Sequence, residues 1–124
     1  MIKKISTDKA PSAIGPYSQA IVAGGLVYTS GQIPINPESG NIEASDITAQ
    51  TEQVMKNLGA VLKAAGSSYE KAIKTTCFLA DINDFAKFNE VYAKYFTEKP
   101  ARSCVAVRDL PKGALVEVEV VAEI

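Results

Sequence analysis

The chain has 124 residues, of which 47% are hydrophobic, and its 13 basic and 14 acidic residues give a net charge of −1. This length and apolar content predict a single domain, residues 1–124, and exclude a disordered chain. The balanced charge, with scattered lysines and no basic stripe, argues against a nucleic-acid partner.

Histidine is absent, and the only cysteines are Cys77 and Cys104. The absence removes the usual general base, the usual activator of a cysteine or serine nucleophile, and the commonest metal ligand. No clustered carboxylate motif replaces it, so we expect no metal. Two cysteines without a disulfide framework, and no apolar run that could serve as a signal or a membrane span, predict a cytoplasmic protein without a membrane partner.

Short strands are predicted in the first half of the chain. Ile2 and Ile5 fit an edge strand, and residues 17–23 are suited to an extended strand. Gly24-Gly25 predicts a hairpin turn, followed by a return strand over residues 26–30. A loop containing proline and glycine comes next.

Two helices with a strand between them form the middle of the chain. The first is capped by Ser45 or Asp46 and continues with apolar residues at a period close to 3.6. Residues 72–80 are rich in Thr, Ile, Cys and Phe and predict a buried strand. The second helix begins near Asn83 or Asp84 and carries aromatic residues three and four positions apart on one face.

Two final strands, residues 102–107 and 115–123, complete the order β-β-β-α-β-α-β-β. This order predicts an α+β fold with a six-stranded mixed sheet and both helices on one face. In the last strand, Val116, Val118 and Val120 alternate with two glutamates. The alternation places the valines under the helices and the glutamates on the opposite face.

A polar cluster is predicted on the sheet face away from the helices. Arg102 and Cys104 lie on one side of their strand. With the valines under the helices, we expect Arg102 and Cys104 to join Glu117 and Glu119 on the opposite face. That face is then either solvated or buried against another subunit.

Three of these residues can carry chemistry, and each has a plainer interpretation. Arg102 offers a rigid fork of donors for a carboxylate ligand, although the pattern alone favours a structural ion pair with Glu117 or Glu119. Glu117 can position or deprotonate a water, or be a polar residue on a solvated strand. Cys104 is a candidate nucleophile without a histidine to activate it, and more often such a residue acts through its backbone or as a small buried group.

Tyr17 and Ser30-Gly31 are candidate residues for lining a site. Tyr17 can wall a pocket or donate a hydrogen bond, or it can pack on its own loop. A backbone N–H beside Gly31 can approach a ligand closely, but the default interpretation of Ser30-Gly31 is a turn.

Several blocks of sequence are typical of one family when they occur together. They are Ala13-Ile14-Gly15-Pro16-Tyr17-Ser18-Gln19-Ala20, Thr29-Ser30-Gly31-Gln32-Ile33-Pro34, Asn83-Asp84-Phe85 with Asn89, Pro100-Ala101-Arg102-Ser103-Cys104, Leu110-Pro111 and Glu117-Val118-Glu119. In this combination and order, over nearly the whole chain, they resemble the Rid family of reactive intermediate deaminases, also called the YjgF or L-PSP family.

The resemblance implies a chorismate-mutase-like fold and a homotrimer with a barrel-like centre, with ligand sites in clefts between subunits. It implies hydrolysis of 2-imino acids, such as 2-iminobutanoate and 2-iminopropanoate, or their enamine tautomers, to 2-keto acids and ammonia without a cofactor. Arg102 would then bind the substrate carboxylate. Glu117, together with the backbone around Cys104, would position the attacking water. The cleft would be lined by Tyr17, Ser30, Gly31, Asn89 and Pro111.

Two other functions stay open. Some relatives are described as endoribonucleases or translation inhibitors, but the charge and the lack of histidine argue against RNA cleavage here. A non-catalytic protein that binds small carboxylates would use Arg102 equally well. One departure from many relatives, the short connection Phe96-Thr97-Glu98-Lys99, lies beside the expected site and bears on substrate size.

Overall fold

The first three strands form a meander around the predicted hairpin. In the computed structural model, which describes residues 1–124, β1 (Lys3–Ile5) pairs antiparallel with β2 (Ala20–Ala23), and β2 pairs antiparallel with β3 (Leu26–Thr29). The turn residues Gly24 and Gly25 have φ values of 59° and 78°. This left-handed conformation suits glycine and matches the twist of the flanking strands, so the predicted hairpin is confirmed.

Two helices and three further strands follow. They are α1 (Ile47–Ala64), β4 (Ala72–Leu79), α2 (Phe85–Tyr95), β5 (Ala101–Ala106) and β6 (Val116–Glu123). The sheet order is β1-β2-β3-β6-β4-β5, with β4 and β5 parallel and all other neighbours antiparallel. The parallel pair requires a crossover, which α2 supplies. The element order and the mixed sheet confirm the predicted α+β fold.

The predicted ends of α1 are also confirmed. Asp46 is the N-cap, and its side chain accepts a hydrogen bond of 2.8 Å from the amide of Ala49. The helix ends at Ala64, and Gly66 follows with a φ of 83°, which favours glycine. No helix combines the length and the apolar character needed to cross a lipid bilayer.

The core lies between the helices and one face of the sheet. Val116, Val118 and Val120 are at most 1% exposed and share one cluster with apolar residues of α1, including Leu58 and Leu62. The alternation in β6 therefore predicts the covered face correctly.

Some element boundaries differ from prediction. The second strand begins at Ala20 instead of Tyr17, because the buried side chain of Gln19 bonds to the backbone of Thr7 and Pro11 and holds the preceding segment as a loop. The helix α2 begins at Phe85, after a short 3₁₀ turn at Ile82–Asp84.

The predicted face of β5 is wrong. Cys104 lies opposite Cys77 in the sheet, and Cys77 lies opposite Val118, so Cys104 is on the helix-covered face. Arg102, two residues earlier in the same strand, is on that face too. Glu117 is on the open face, since it alternates with the buried valines.

Glu119 shares the open face with Glu117, opposite Thr76 of β4. The expected meeting of Arg102 and Cys104 with the two glutamates therefore does not occur within one chain. The reason is register: side chains alternate with a period of two, so shifting the pairing by one residue moves the whole set to the other face.

Candidate functional site

The guanidinium of Arg102 is held in place by helix α2. Its Nη1 donates a hydrogen bond of 2.7 Å to Asn89 Oδ1. Its Cζ lies 4.7 Å from the ring centroid of Tyr92 and 5.4 Å from that of Phe85, distances at which cation–π attraction operates. The Tyr92 hydroxyl is in turn hydrogen-bonded to Thr75 Oγ1 at 2.7 Å, inside the core.

Arg102 forms no salt bridge. The structural ion pair with Glu117 or Glu119, which the pattern alone favours, is therefore absent from this chain. A guanidinium that is oriented by an amide and two rings, with no carboxylate neutralising it, is suited to an anionic ligand. It faces a cavity of about 320 Å³ whose lining includes Asn89, Tyr92, Phe96, Lys99, Pro100 and Arg102.

Glu117 faces a second and larger cavity, of about 580 Å³, on the other side of the sheet. Five of the predicted site residues share its lining: Tyr17, Ser30, Gly31, Pro111 and Glu117. These residues come from the segment before β2, the end of β3, the turn after β5 and the start of β6. The antiparallel pairing of β3 with β6 brings two of these segments together.

The carboxylate of Glu117 lies directly against Gly31. A β-carbon on Gly31 would be 2.8 Å from Glu117 Cδ, closer than real β-carbons approach other atoms. Burial raises the pKa of Glu117, and the charge of Glu119 raises it further. The site therefore holds a carboxylate that is more basic than an ordinary one, and basicity of this kind suits a group that takes a proton from water.

The polar groups of Ser30 and Gly31 differ in whether they are hydrogen-bonded within the protein. The Ser30 hydroxyl donates to the carbonyl of Ser18 at 2.6 Å, and the Ser30 amide donates to the carbonyl of Gln19 at 2.9 Å. The amide of exposed Gly31 takes part in no hydrogen bond within the protein. It is a backbone donor that a ligand in the Glu117 cavity can reach.

Cys104 lies half-buried beside buried Cys77, and both are free thiols. Burial raises the pKa of Cys104 more than the positive charge of Arg102 lowers it, and burial raises the pKa of Cys77 to about 12. Both groups are protonated at neutral pH, and the thiolate is the nucleophilic form. This favours the interpretation of Cys104 as a small buried group. No three His, Cys, Asp or Glu side chains come together as metal ligands.

One chain holds Arg102 and Glu117 in two separate cavities. Arg102 and Glu117 are two strands apart, about 10 Å across the sheet, and their partners on β4, Thr75 and Phe78, are about 10 Å apart along that strand. Their side chains also leave opposite faces. A ligand the size of a small acid cannot contact both within one chain.

Sequence reasoning named Asn89 as a cleft residue, but it missed the rings of Tyr92 and Phe85 that also orient Arg102, and it missed the two lysines that line the cavities. The aromatic stripe of α2 was visible, but its contact with Arg102 depends on which face β5 turns to the helix. Lys99 and Lys112 are the only non-glycine residues with positive φ, 54° and 57°. Lys99 lines the Arg102 cavity and Lys112 the Glu117 cavity. The only sequence signal for positive φ at these two lysines is that each lies in a short connection.

The sheet, the oriented arginine and the basic carboxylate define a small α+β protein with one cavity that holds an arginine and a second cavity that holds a carboxylate. Residues 7–124 match the family model described as Endoribonuclease L-PSP. The chain belongs to this family, which is the Rid or YjgF family that its sequence blocks resemble.

Similar proteins carry several names. A RutC family protein of Pyrococcus horikoshii is 54% identical over 123 residues, covering 98% of both chains. The human 2-iminobutanoate/2-iminopropanoate deaminase is 49% identical over 119 residues, covering 95% of this chain and 87% of the human one. The crystal structure of Escherichia coli TdcF with bound serine is 45% identical, covers 98% of both chains and superposes with a TM-score of 0.93.

Proposed function

We propose that this protein hydrolyses 2-imino acids, such as 2-iminobutanoate and 2-iminopropanoate, to 2-keto acids and ammonia. The observation that carries the proposal is the Arg102 guanidinium, which is oriented by Asn89 and Tyr92 and has no carboxylate partner. Two comparisons support it: the human relative is named for this reaction, and the TdcF structure holds serine, which has a carboxylate beside a nitrogen-bearing carbon.

The proposal includes a homotrimer in which two chains complete each site. Arg102 of one chain and Glu117 of the next would face one ligand. Within a single chain, the two side chains lie too far apart and on opposite faces of the sheet to contact the same ligand. The open sheet face supports this assembly: it carries no helix, and it exposes apolar side chains such as Tyr28 and Val105, which are 45% and 47% exposed.

The reaction needs little beyond orientation and a base. Arg102 would bind the substrate carboxylate, which fixes the imine carbon near Glu117. Glu117 would accept a proton from water while the oxygen adds to the C=N carbon. The nitrogen is protonated and leaves as ammonia as the C=O bond forms, so one imine and one water give one keto acid and one ammonia. The Gly31 amide, which has no hydrogen-bond partner within the protein, would orient the water or the developing polar intermediate.

A coupled assay tests the reaction. An amino-acid oxidase generates 2-iminopropanoate from alanine, and keto-acid release is followed with and without the protein. We expect wild type to accelerate release and Arg102→Ala to lose the acceleration by about 100-fold or more. Arg108→Ala is the matched control, since the Arg108 side chain is 97% exposed and lines neither cavity. No acceleration by wild type, or full activity of Arg102→Ala, would contradict the proposal.

Subunit mixing tests the shared site. Arg102→Ala and Glu117→Gln should each be inactive alone. After the two are unfolded together and refolded, random assembly pairs an intact Arg102 with an intact Glu117 at about a quarter of the sites. We expect activity to return to that extent. Mixed trimers that stay inactive would show that both residues act within one chain.

RNA cleavage is the second candidate, and the name of the family, Endoribonuclease L-PSP, is the observation that favours it. The net charge of −1 and the absence of histidine weigh against it. The test is cleavage of a single-stranded RNA that persists through repurification and is lost in Glu117→Gln.

A further inference from the structure

Lys99 stands in an unusual backbone conformation at the edge of the Arg102 cavity. Its φ is 54°, a left-handed value that a residue with a β-carbon adopts at a cost, and it directly precedes Pro100. The segment between α2 and β5 is short, and Lys99 closes its turn through an amide hydrogen bond of 3.3 Å to the carbonyl of Phe96. Strain of this kind persists where the surrounding structure requires it, and it is concentrated at binding sites.

The charges around this cavity are unbalanced. Lys99 and Arg102 both line it, and neither forms a salt bridge. No acidic residue lines it; the remaining lining residues are Asn89, Tyr92, Ala93, Phe96 and Pro100. Two unpaired cations that face one small cavity repel each other, and an anion between them would convert that repulsion into attraction.

We propose that Lys99 and Arg102 bind the two acidic groups of one dicarboxylate, so that the preferred imines of this protein are 2-imino dicarboxylic acids. Arg102 takes the carboxylate beside the imine, as in the proposed function, and Lys99 takes the distal carboxylate. The ring of Tyr92, which lines the same cavity, contacts the methylene carbons between them. The hydrolytic part of this inference rests on the proposed function, whereas the dicarboxylate site does not.

The chemistry of the proposed substrate also defines the reaction that precedes this hydrolysis and the product that the hydrolysis leaves. A 2-imino dicarboxylic acid arises by two-electron oxidation of an acidic amino acid at its C–N bond. Hydrolysis adds one water across C=N and releases one ammonia, which leaves a 2-keto dicarboxylic acid. An enzyme that oxidises acidic amino acids is therefore the class that must supply this substrate.

Binding of unreactive probes tests the site without any turnover. Succinate and its monoamide, succinamate, have nearly the same size and differ by one charge. Isothermal titration calorimetry at low ionic strength should show that wild type binds succinate about fivefold more tightly than succinamate, as expected for one additional partly exposed charge contact.

Three variants isolate the contribution of Lys99. Lys99→Asn removes the charge with a residue that tolerates positive φ, and it should bind the two probes equally while its affinity for succinamate is unchanged. Lys99→Arg should keep the preference. Lys71→Gln, an exposed lysine outside both cavities, matches the change in net charge and should also keep it. Melting temperatures check that each variant is folded.

Equal binding of the probes by wild type, or an unchanged preference in Lys99→Asn, would overturn the inference. Kinetics then separate it from the proposed function. With amino-acid oxidases that generate the imines of aspartate and alanine, Lys99→Asn should lower the ratio of kcat/KM for the first imine to kcat/KM for the second about fivefold. If wild type hydrolyses neither imine but prefers succinate, the proposed function fails and the dicarboxylate site stands. If it hydrolyses both imines without preferring succinate, only the dicarboxylate site fails.

Discussion

The α-carbon of Gly31 lies against the carboxylate of Glu117, with no room for a methyl group between them. In Gly31→Ala the new β-carbon would come within 2.8 Å of Glu117 Cδ, and the flexible end of the glutamate would move to relieve the contact. We therefore expect imine hydrolysis to fall at least tenfold while the melting temperature changes by only a few degrees. Ala49→Ser is the control, because it adds one heavy atom at an exposed position outside both cavities. Full activity in Gly31→Ala would show that the position of the carboxylate is unimportant.

Glu117→Gln should stabilise the fold at neutral pH. Burial and Glu119 raise the folded-state pKa of Glu117 above its ordinary value of 4.5, so the ionised side chain costs folding free energy. That cost is absent below the unfolded-state pKa and grows as pH rises through the raised one. The melting temperature of the variant should therefore exceed that of wild type at pH 7 and match it near pH 4. Exposed Glu38→Gln is the control, and a variant less stable than wild type at pH 7 would contradict the expectation.

The role of the hydrogen bond between Arg102 and Asn89 can be tested by replacing the Asn89 amide with a carboxylate. Asn89→Asp converts the amide that accepts the 2.7 Å hydrogen bond into a carboxylate, which would neutralise the guanidinium. The substrate carboxylate must then compete with it, so KM should rise tenfold or more. Asn89→Ala leaves Arg102 charged but less restrained and should raise KM less. The reverse order of the two effects would rule out Arg102 as the carboxylate-binding group.

Glu52 joins the two helices by accepting hydrogen bonds from Lys94 Nζ at 2.6 Å and from the Tyr95 hydroxyl at 2.5 Å. The hydrogen bond from Lys94 makes the largest contribution to lowering the pKa of Glu52, and the hydrogen bond from Tyr95 makes the next largest. Its stabilising effect is present above the ordinary value of 4.5 and is lost as pH falls through the lowered pKa. Glu52→Gln should cost about 0.5–1 kcal/mol in urea unfolding at pH 7 and less near pH 3. Exposed Glu90→Gln should cost less at pH 7, and equal losses would show that the links to α2 are without effect.

Gly59 is a helical glycine whose replacement by alanine should destabilise the protein. Replacing a helical glycine by alanine usually stabilises a protein by about 1 kcal/mol. Here the new β-carbon would lie 3.0 Å from Tyr69 Cζ, and that ring is held by the Tyr95 and Phe96 rings and by a hydrogen bond from its hydroxyl to the carbonyl of Met55. Gly59→Ala should therefore lower the free energy of unfolding. Gly59→Ala combined with Tyr69→Leu removes the obstacle, and in that background the alanine should be tolerated or stabilising.

The sequence alone determines those parts of the fold that depend on local chemistry. The Asp46 side chain accepts a hydrogen bond from the Ala49 amide in the first turn of α1, Gly24-Gly25 adopts positive φ, and the strict alternation from Val116 to Val120 assigns one face of β6 to the core. Each of these signals lies within a few residues of the element that it specifies, so the pattern can be interpreted without knowledge of the partners. The family blocks add the candidate residues in the same way.

Only the tertiary structure decides where Arg102 points. Strand β5 is an edge strand whose residues do not alternate in polarity, and its face depends on the pairing of Cys104 with Cys77 of β4. Because one residue of slip exchanges the two faces, the sequence pattern of β5 cannot distinguish them. The pairing places Arg102 against α2 and leaves Glu117 on the open face, and this separation divides the predicted site into two halves within each chain.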